Sequence, residues 1–219
     1  RVLYWRKRRH AHADVFATHK PIMYSYRIEQ AIRAAAVLHR SQLRKGTVPL
    51  PYVTHVVATA FTVMDYTDDE DVVIAALLHD TLEDTDYTVA ELQEDFGGTV
   101  RDMVETLTEP TGNAEAPNSW KDRKRGYVKQ LKQGPEGALI VAAADKIHNM
   151  RSMVEQYHDD IPGYLATFSR YNTVGIDFLS DLQALLSREL SNDIVQEFEH
   201  VFTEFKHFNH HVQAAQNDE

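Results

Sequence analysis

Val72-Val73-Ile74-Ala75-Ala76-Leu77-Leu78-His79-Asp80-Thr81-Leu82-Glu83-Asp84-Thr85 is the stretch around which the chain is organised. It opens with an unbroken apolar run. A helix that is apolar on nearly every side belongs in the centre of a core, not on a surface. The acidic pair Asp68-Asp69 stands where a cap is needed, and the pattern predicts a helix from Val72 to about Leu82. On one continuous helix His79 would sit over Glu83 and Asp80 over Asp84, because residues four apart share a face. Ionisable groups crowded at a helix end are costly unless a cation or water holds them. Carboxylates at that end also oppose the macrodipole.

Towards the N-terminus, Ile28, Ala31, Ile32, Ala35, Ala36 and Leu38 recur at helical period after Ser25, which fits a cap. That helix is predicted to run to about Gln42. Arg44-Lys45-Gly46-Thr47-Val48-Pro49-Leu50-Pro51 is a basic, breaker-rich turn, and a second helix is predicted from near Tyr52 to near Thr67. Towards the C-terminus, Thr88-Val89-Ala90-Glu91 has the form of a capping box and starts a short helix that stops at Gly97-Gly98. Another helix carries Val100, Met103, Val104 and Leu107, and residues 109–119 read as a loop. A polar helix follows from Trp120 to Gln133, closed by Gly134-Pro135. A second core helix, from Gly137 to about Tyr157, has an apolar run that ends on Asp145. Two long amphipathic helices, at about 163–190 and 192–212, finish the chain. With no alternating strand and no repeat at a fixed period, the expected class is all-α. The expected organisation is an N-terminal arm over residues 1–24, one helical domain over 25–190, and a C-terminal helix over 191–219 packed on that domain.

Composition narrows the chemistry. The 219 residues are 43% apolar, which is enough for a core and disfavours a disordered chain. There is no cysteine, so disulfides and thiolate metal sites are excluded and any metal must be held by His, Asp or Glu. The net charge of −10 disfavours broad binding to nucleic acid or to an anionic membrane. No apolar run of membrane-spanning length and no secretory signal pattern stands out, so a cytoplasmic protein is expected. The chain starts with Arg1 rather than Met, and trimming or processing there is expected. Arg6-Lys7-Arg8-Arg9, flanked by Tyr4, Trp5, His10 and His12, reads as a terminal segment packed on its own domain or on a partner subunit.

A His-Asp dipeptide by itself carries no weight. With 12 His in the chain one is expected by chance about once, and His158-Asp159 is a second, placed in a polar stretch before Pro162. His79-Asp80 differs because an apolar helix delivers it, as another delivers Asp145. His55, one turn into the second helix, is a third contributor. His55, His79, Asp80 and Asp145 together make a donor set of two imidazoles and two carboxylates. Nitrogen and oxygen donors without sulfur suit Mn, Fe or Zn, with room left for water and a substrate oxygen.

Three segments carry a family resemblance: Arg44-Lys45-Gly46…Pro51-Tyr52-Val53-Thr54-His55, Ala75-Ala76-Leu77-Leu78-His79-Asp80-Thr81-Leu82-Glu83-Asp84-Thr85, and Ala144-Asp145-Lys146-Ile147-His148-Asn149-Met150-Arg151. In this order they resemble the HD-superfamily hydrolase domain of the Rel/SpoT enzymes, over roughly residues 25–185. The resemblance implies an HD-domain helical bundle with a metal site formed by three helices. It implies Mn²⁺-dependent removal of the 3′-pyrophosphate from ppGpp and pppGpp, the alarmones of the stringent response. Because no synthetase domain follows, it is similar to a stand-alone small alarmone hydrolase. Carried over by position, it implies that His55, His79, Asp80 and Asp145 bind the metal and that Glu83 and Asp84 orient and deprotonate the attacking water. It further implies that Asn149 and Ser152 contact the sugar and phosphate, and that Arg44 lies against the base with Lys45 beside it. Lys146 and the Arg123-Lys124-Arg125 cluster are candidate cations for the leaving pyrophosphate. Trp120, Arg123, Lys124 and Tyr127 look similar to a Trp-x-x-Arg-Lys-x-x-Tyr pattern of stand-alone HD proteins. The chain departs from the family at Gly46-Thr47 in the basic turn, at Val56 after His55, and at Lys146 after Asp145.

Other readings of the same residues stand beside these. The site could serve another nucleotide, such as pppApp or the 2′-phosphate of NADPH, or a sensor that binds without hydrolysis. Retention of Glu83 and Asp84 argues against the sensor. Arg123-Lys124-Arg125 reads first as a solvated helix face, and only second as a site cluster. His200, His207, His210 and His211 read as part of an exposed amphipathic helix, and His148 as a structural residue behind Asp145. The expected partner is a small nucleotide, with no nucleic acid and no membrane, and a homo-oligomer is allowed.

Overall fold

The computed structural model describes residues 25–46, 48–110, 120–168 and 174–217. The basic arm expected over residues 1–24 and residues 111–119 of the expected loop lie outside them. The helices are α1 (Tyr26–Leu38), α2 (Val53–Met64), α3 (Glu70–Leu78), α4 (Thr81–Asp84), α5 (Val89–Phe96), α6 (Gly98–Leu107), α7 (Trp120–Gln133), α8 (Glu136–Asp159), α9 (Ile161–Phe168), α10 (Val174–Glu189) and α11 (Ile194–Asn217). Among the described residues there is no strand, only an isolated bridge between Leu43 and Pro51. The all-α expectation holds.

α3 is the axis of the bundle. Every residue from Val72 to Leu78 is buried, and α1, α2, α6 and α8 surround it. Side chains buried on all sides of one short helix contribute on the order of 1.5–3 kcal/mol each for the larger ones. The helix starts where Asp69 accepts a hydrogen bond from the Asp71 N–H. Arg27 of α1 bridges to Glu70 and Asp71 at the same end and ties α1 to the start of α3. α8 packs beside α3 with Ala138 to Asp145 all buried, and α11 covers α8 through Ile194, Phe198, Val201, Phe202 and Phe205, which join the same core.

Several caps form as their residues require. The Ser25 side chain accepts from the Ile28 N–H, and Thr88 and Glu91 close a complete capping box. Gly97, at φ 90°, ends α5 and lets α6 begin at the next residue, a backbone conformation that glycine alone adopts without strain.

Some boundaries differ from expectation. α1 ends at Leu38, not near Gln42, and Ile32 and Ala36 face solvent while His39 turns inward. The apolar stripe of α1 is therefore narrower than the pattern suggested. α3 stops at Leu78, and the chain turns at His79-Asp80 before a separate short helix, α4. The single helix to Leu82 is thus corrected. α8 runs to Asp159, so Asp145 lies mid-helix, as the expected span from Gly137 to about Tyr157 places it. Of the penultimate amphipathic helix, expected over about 163–190, α9 and α10 are described, and residues 169–173 between them lie outside the described residues. A small second cluster of Tyr164, Val212, Tyr157, Leu165 and Phe208 holds α9 against α8 and α11.

Candidate metal centre

α2, the α3–α4 turn and α8 bring four side chains to one point. His55 enters from the first turn of α2, His79 and Asp80 from the turn, and Asp145 from mid-α8. His55 Nε2 is 3.1 Å from Asp145 Oδ1 and 3.6 Å from Asp80 Oδ2. His79 Nε2 is 3.1 Å from Asp80 Oδ2 and 3.8 Å from Asp145 Oδ1. His55, His79 and Asp80 each offer a ligand atom within 4.8 Å of the others.

The imidazoles are turned by their other nitrogens. His79 Nδ1 donates to the Ala76 carbonyl oxygen at 2.7 Å. His55 Nδ1 lies 2.8 Å from His148 Nδ1. Burial, with His55 and Arg44 nearby, holds His148 down to about 3, so its ring is neutral and Nδ1 can accept. Both Nε2 atoms are thereby aimed at carboxylate oxygens. His79 Nε2 is buried and makes no hydrogen bond. Lone pairs facing carboxylates repel unless something positive lies between them. Burial disfavours a charged His79, yet Asp80 and Asp145 overcome it and push the ring up to about 9. Burial likewise opposes ionisation of Asp80 and Asp145. His79 holds Asp80 low, and Lys146 with the imidazoles holds Asp145 low. The donor set fits a divalent cation: two imidazole nitrogens, two ionised carboxylates, an orphaned buried atom, and a field so attractive to positive charge that without a cation it holds a proton on His79.

A cleft of about 350 Å³ opens above this centre, within the range of small-ligand sites. The expected ligand, catalytic and substrate-contact residues line it: Arg44, Lys45, His55, His79, Asp80, Glu83, Asp84, Asp145, Lys146, Asn149 and Ser152; of the Arg123-Lys124-Arg125 cluster only Lys124 does. Glu83 stands at the rim, where Glu83 Oε2 accepts from the Glu109 N–H. The surrounding wall desolvates its carboxyl and raises its pKa, against the pull of that N–H. Asp84 Oδ2 accepts from Gln42 Nε2 at 2.8 Å. Lys146 is bonded to Asp145, Asn149 Nδ2 donates to Asp145, and Arg44 donates to Asn149 Oδ1 at 2.7 Å. Ser152 Oγ is 3.5 Å from His148 Nδ1. His148 stands behind His55 as well as near Asp145.

Sequence reasoning missed the supports of this arrangement. The Tyr52 hydroxyl donates to Asp80 Oδ2 at 2.5 Å, and Arg44 lies 5.3 Å over the Tyr52 ring. Pro51-Tyr52 at the head of a helix was the available signal. Lys124 corrects the solvated-face reading of its cluster. It is partly buried among Trp120, Tyr127 and Phe178, is bonded to Glu109, and its pKa is lowered, chiefly by that burial. Arg125 is exposed as expected, as are His200, His207, His210 and His211.

Residues 31–166 match a family described as HD domain, which is well over half of the chain. This chain belongs to the HD-domain family. Its HD domain is 38% identical over 126 residues to the guanosine-3′,5′-bis(diphosphate) 3′-pyrophosphohydrolase of Mus musculus, covering 57% of this chain and 68% of that one. It is 34% identical over 126 residues to a probable GTP pyrophosphokinase of Mycobacterium leprae, of which it spans only 16%. A solved structure described as a metazoan ortholog of SpoT that hydrolyses ppGpp superposes with a TM-score of 0.65 at 24% identity. It covers 83% of this chain and 97% of that one, and supports the HD-domain fold.

Proposed function

We propose that this HD domain hydrolyses the 3′-pyrophosphate of guanosine alarmones, converting ppGpp and pppGpp to GDP and GTP plus pyrophosphate. The observation that carries the reading is the cluster of His55, His79, Asp80 and Asp145 on the floor of a cleft whose walls hold Arg44, Lys45, Lys124 and Lys146. A cation-seeking floor under cationic walls suits a small, strongly anionic substrate. The similarity to relatives named for this activity supports it.

His55, His79, Asp80 and Asp145 would hold a divalent ion, with Mn²⁺ proposed and another first-row ion allowed by the same donors. Such an ion lowers the pKa of water and offsets negative charge on phosphate. Glu83 takes the proton of the attacking water, and its raised pKa makes it a better base than an ordinary Glu. Asp84 holds the water in line. Water adds to the phosphorus on O3′ and the P–O3′ bond breaks; O3′ departs as the 3′-hydroxyl of GDP or GTP, taking a proton from solvent, and the pyrophosphate carries the water oxygen. Lys124 and Lys146 face the negative charge of the pyrophosphoryl group. Arg44 lies against the base with Lys45 beside it, and Asn149 and Ser152 contact the sugar and phosphate. Residues 25–190 form the hydrolase unit, with 191–219 packed on it, in a cytoplasmic protein.

The test is product analysis. Metal-stripped protein is incubated with ppGpp, pppApp and NADPH, with and without Mn²⁺. GDP and pyrophosphate appearing only with Mn²⁺ is the expected result. Orthophosphate from NADPH alone, or binding of ppGpp without turnover, would replace this reading with another nucleotide substrate or with a sensor.

A further inference from the structure

Asp84 is held by a relay that begins at a buried histidine outside the cleft. His39, the C-cap of α1, is 2% exposed. Its Nδ1 is 2.6 Å from Gln42 Oε1, and Gln42 Nε2 is 2.8 Å from Asp84 Oδ2. The direction of every bond follows from chemistry. An ionised carboxylate only accepts, so the Gln42 amide must turn its NH₂ to Asp84. That leaves Gln42 Oε1 for His39, so His39 Nδ1 must carry the hydrogen. The backbone fixes the same residue, since the Gln42 N–H donates to the His39 carbonyl and the Gln42 carbonyl accepts from the Tyr52 N–H. The His39 ring also lies 4.9 Å from the ring of Tyr52, whose hydroxyl holds Asp80.

His39 Nε2 is buried and has no hydrogen-bond partner. An orphaned buried nitrogen costs stability, and an apolar side chain in the same space would avoid that cost. Packing alone therefore does not account for a histidine here, whereas a donor at Nδ1 does.

We propose that His39 and Gln42 are positioning residues for Asp84. His39 locks the amide of Gln42, and the locked amide holds the Asp84 carboxylate in one orientation at the cleft. Neither residue takes part in proton transfer. The assignment rests on the role given to Asp84 above.

Two measurements test it. Steady-state kinetics on ppGpp with Mn²⁺ compares Gln42→Leu, His39→Phe and His39→Gln, alone and with Asp84→Asn. Gln42→Leu and His39→Phe are expected to lower kcat about tenfold, the lower end for loss of a supporting hydrogen bond, with KM and metal content unchanged. His39→Gln, which can still donate to Gln42, is expected to restore most of the rate. Adding Gln42→Leu to Asp84→Asn is expected to cost nothing further. A wild-type kcat in Gln42→Leu, or losses that multiply in the double variant, would overturn the relay. Imidazole ¹⁵N shifts of metal-free protein provide a readout independent of turnover. His39 is expected to keep hydrogen on Nδ1 and to lose that preference in Gln42→Leu. Hydrogen on Nε2 alone would overturn the relay. Absence of ppGpp turnover in the wild type would overturn the substrate reading and leave this second result to decide the relay.

Discussion

At the residue scale, Asp80 is gripped from three sides. The Tyr52 hydroxyl donates to Oδ2, and the same oxygen lies 3.1 Å from His79 and 3.6 Å from His55. Asp80→Ala is expected to lose metal and activity together, measured by metal analysis and turnover; full metal occupancy in that variant would remove Asp80 from the ligand set. Glu83→Gln is expected to keep the metal and lose most of its kcat, and a rate equal to wild type would exclude Glu83 as the base. The raised pKa of Glu83 also sets a pH dependence. The folded protein holds that proton more tightly than the unfolded chain, so the group's contribution to stability is complete below its ordinary value of 4.5 and is lost as pH rises through the raised value. Thermal melts of metal-free protein at neutral pH should therefore find Glu83→Gln at least as stable as wild type. Activity runs the other way: a base must be ionised, so kcat should fall with acid at a pH above that of an ordinary Glu.

At the element scale, the break between α3 and α4 decides the site. The run Val72–Leu78 was legible as a buried helix because an apolar surface on every side has no other stable place. Its end was not legible. Helical spacing stacks His79 on Glu83, whereas α3 stops at Leu78, the chain turns at His79-Asp80, and α4 begins at Thr81. This separation sends His79 and Asp80 to the floor and Glu83 and Asp84 to the rim of the cleft. The turn is closed by Thr81 Oγ1 donating to the Leu78 carbonyl at 2.6 Å. Leu78→Ala should cost about 2–5 kcal/mol in denaturant unfolding, as expected for a fully buried leucine beside that turn. It should weaken metal binding too, because the cavity lies directly behind His79. A loss below 1 kcal/mol would show that α3 is not the structural axis.

At the scale of the whole molecule, the metal centre joins parts of the chain far apart in sequence. His55, Asp80 and Asp145 belong to α2, the α3–α4 turn and α8, which also share the core. A cation bound there would favour the folded state by mass action, about 2.7 kcal/mol at a concentration 100 times its Kd. Stripping the metal is therefore expected to lower the Tm, and returning Mn²⁺ to restore it; Asp80→Ala should melt at the same temperature with or without Mn²⁺. Local pattern alone determined the all-α class, the central place of Val72–Leu78, the caps at Ser25 and Thr88, and the candidate donors. Those features depend on neighbours within one or two turns, so sequence contains them. Tertiary structure alone decided that α3 stops at Leu78, that Tyr52 and Gln42 hold the carboxylates, and that Lys124 is drawn in among aromatic rings. Each of these needs a partner from another element, such as Asp80 for Tyr52 or Phe178 for Lys124. No short-range periodicity encodes which distant side chain will satisfy a buried polar group. Packing and hydrogen-bond pairing choose it once the helices are assembled.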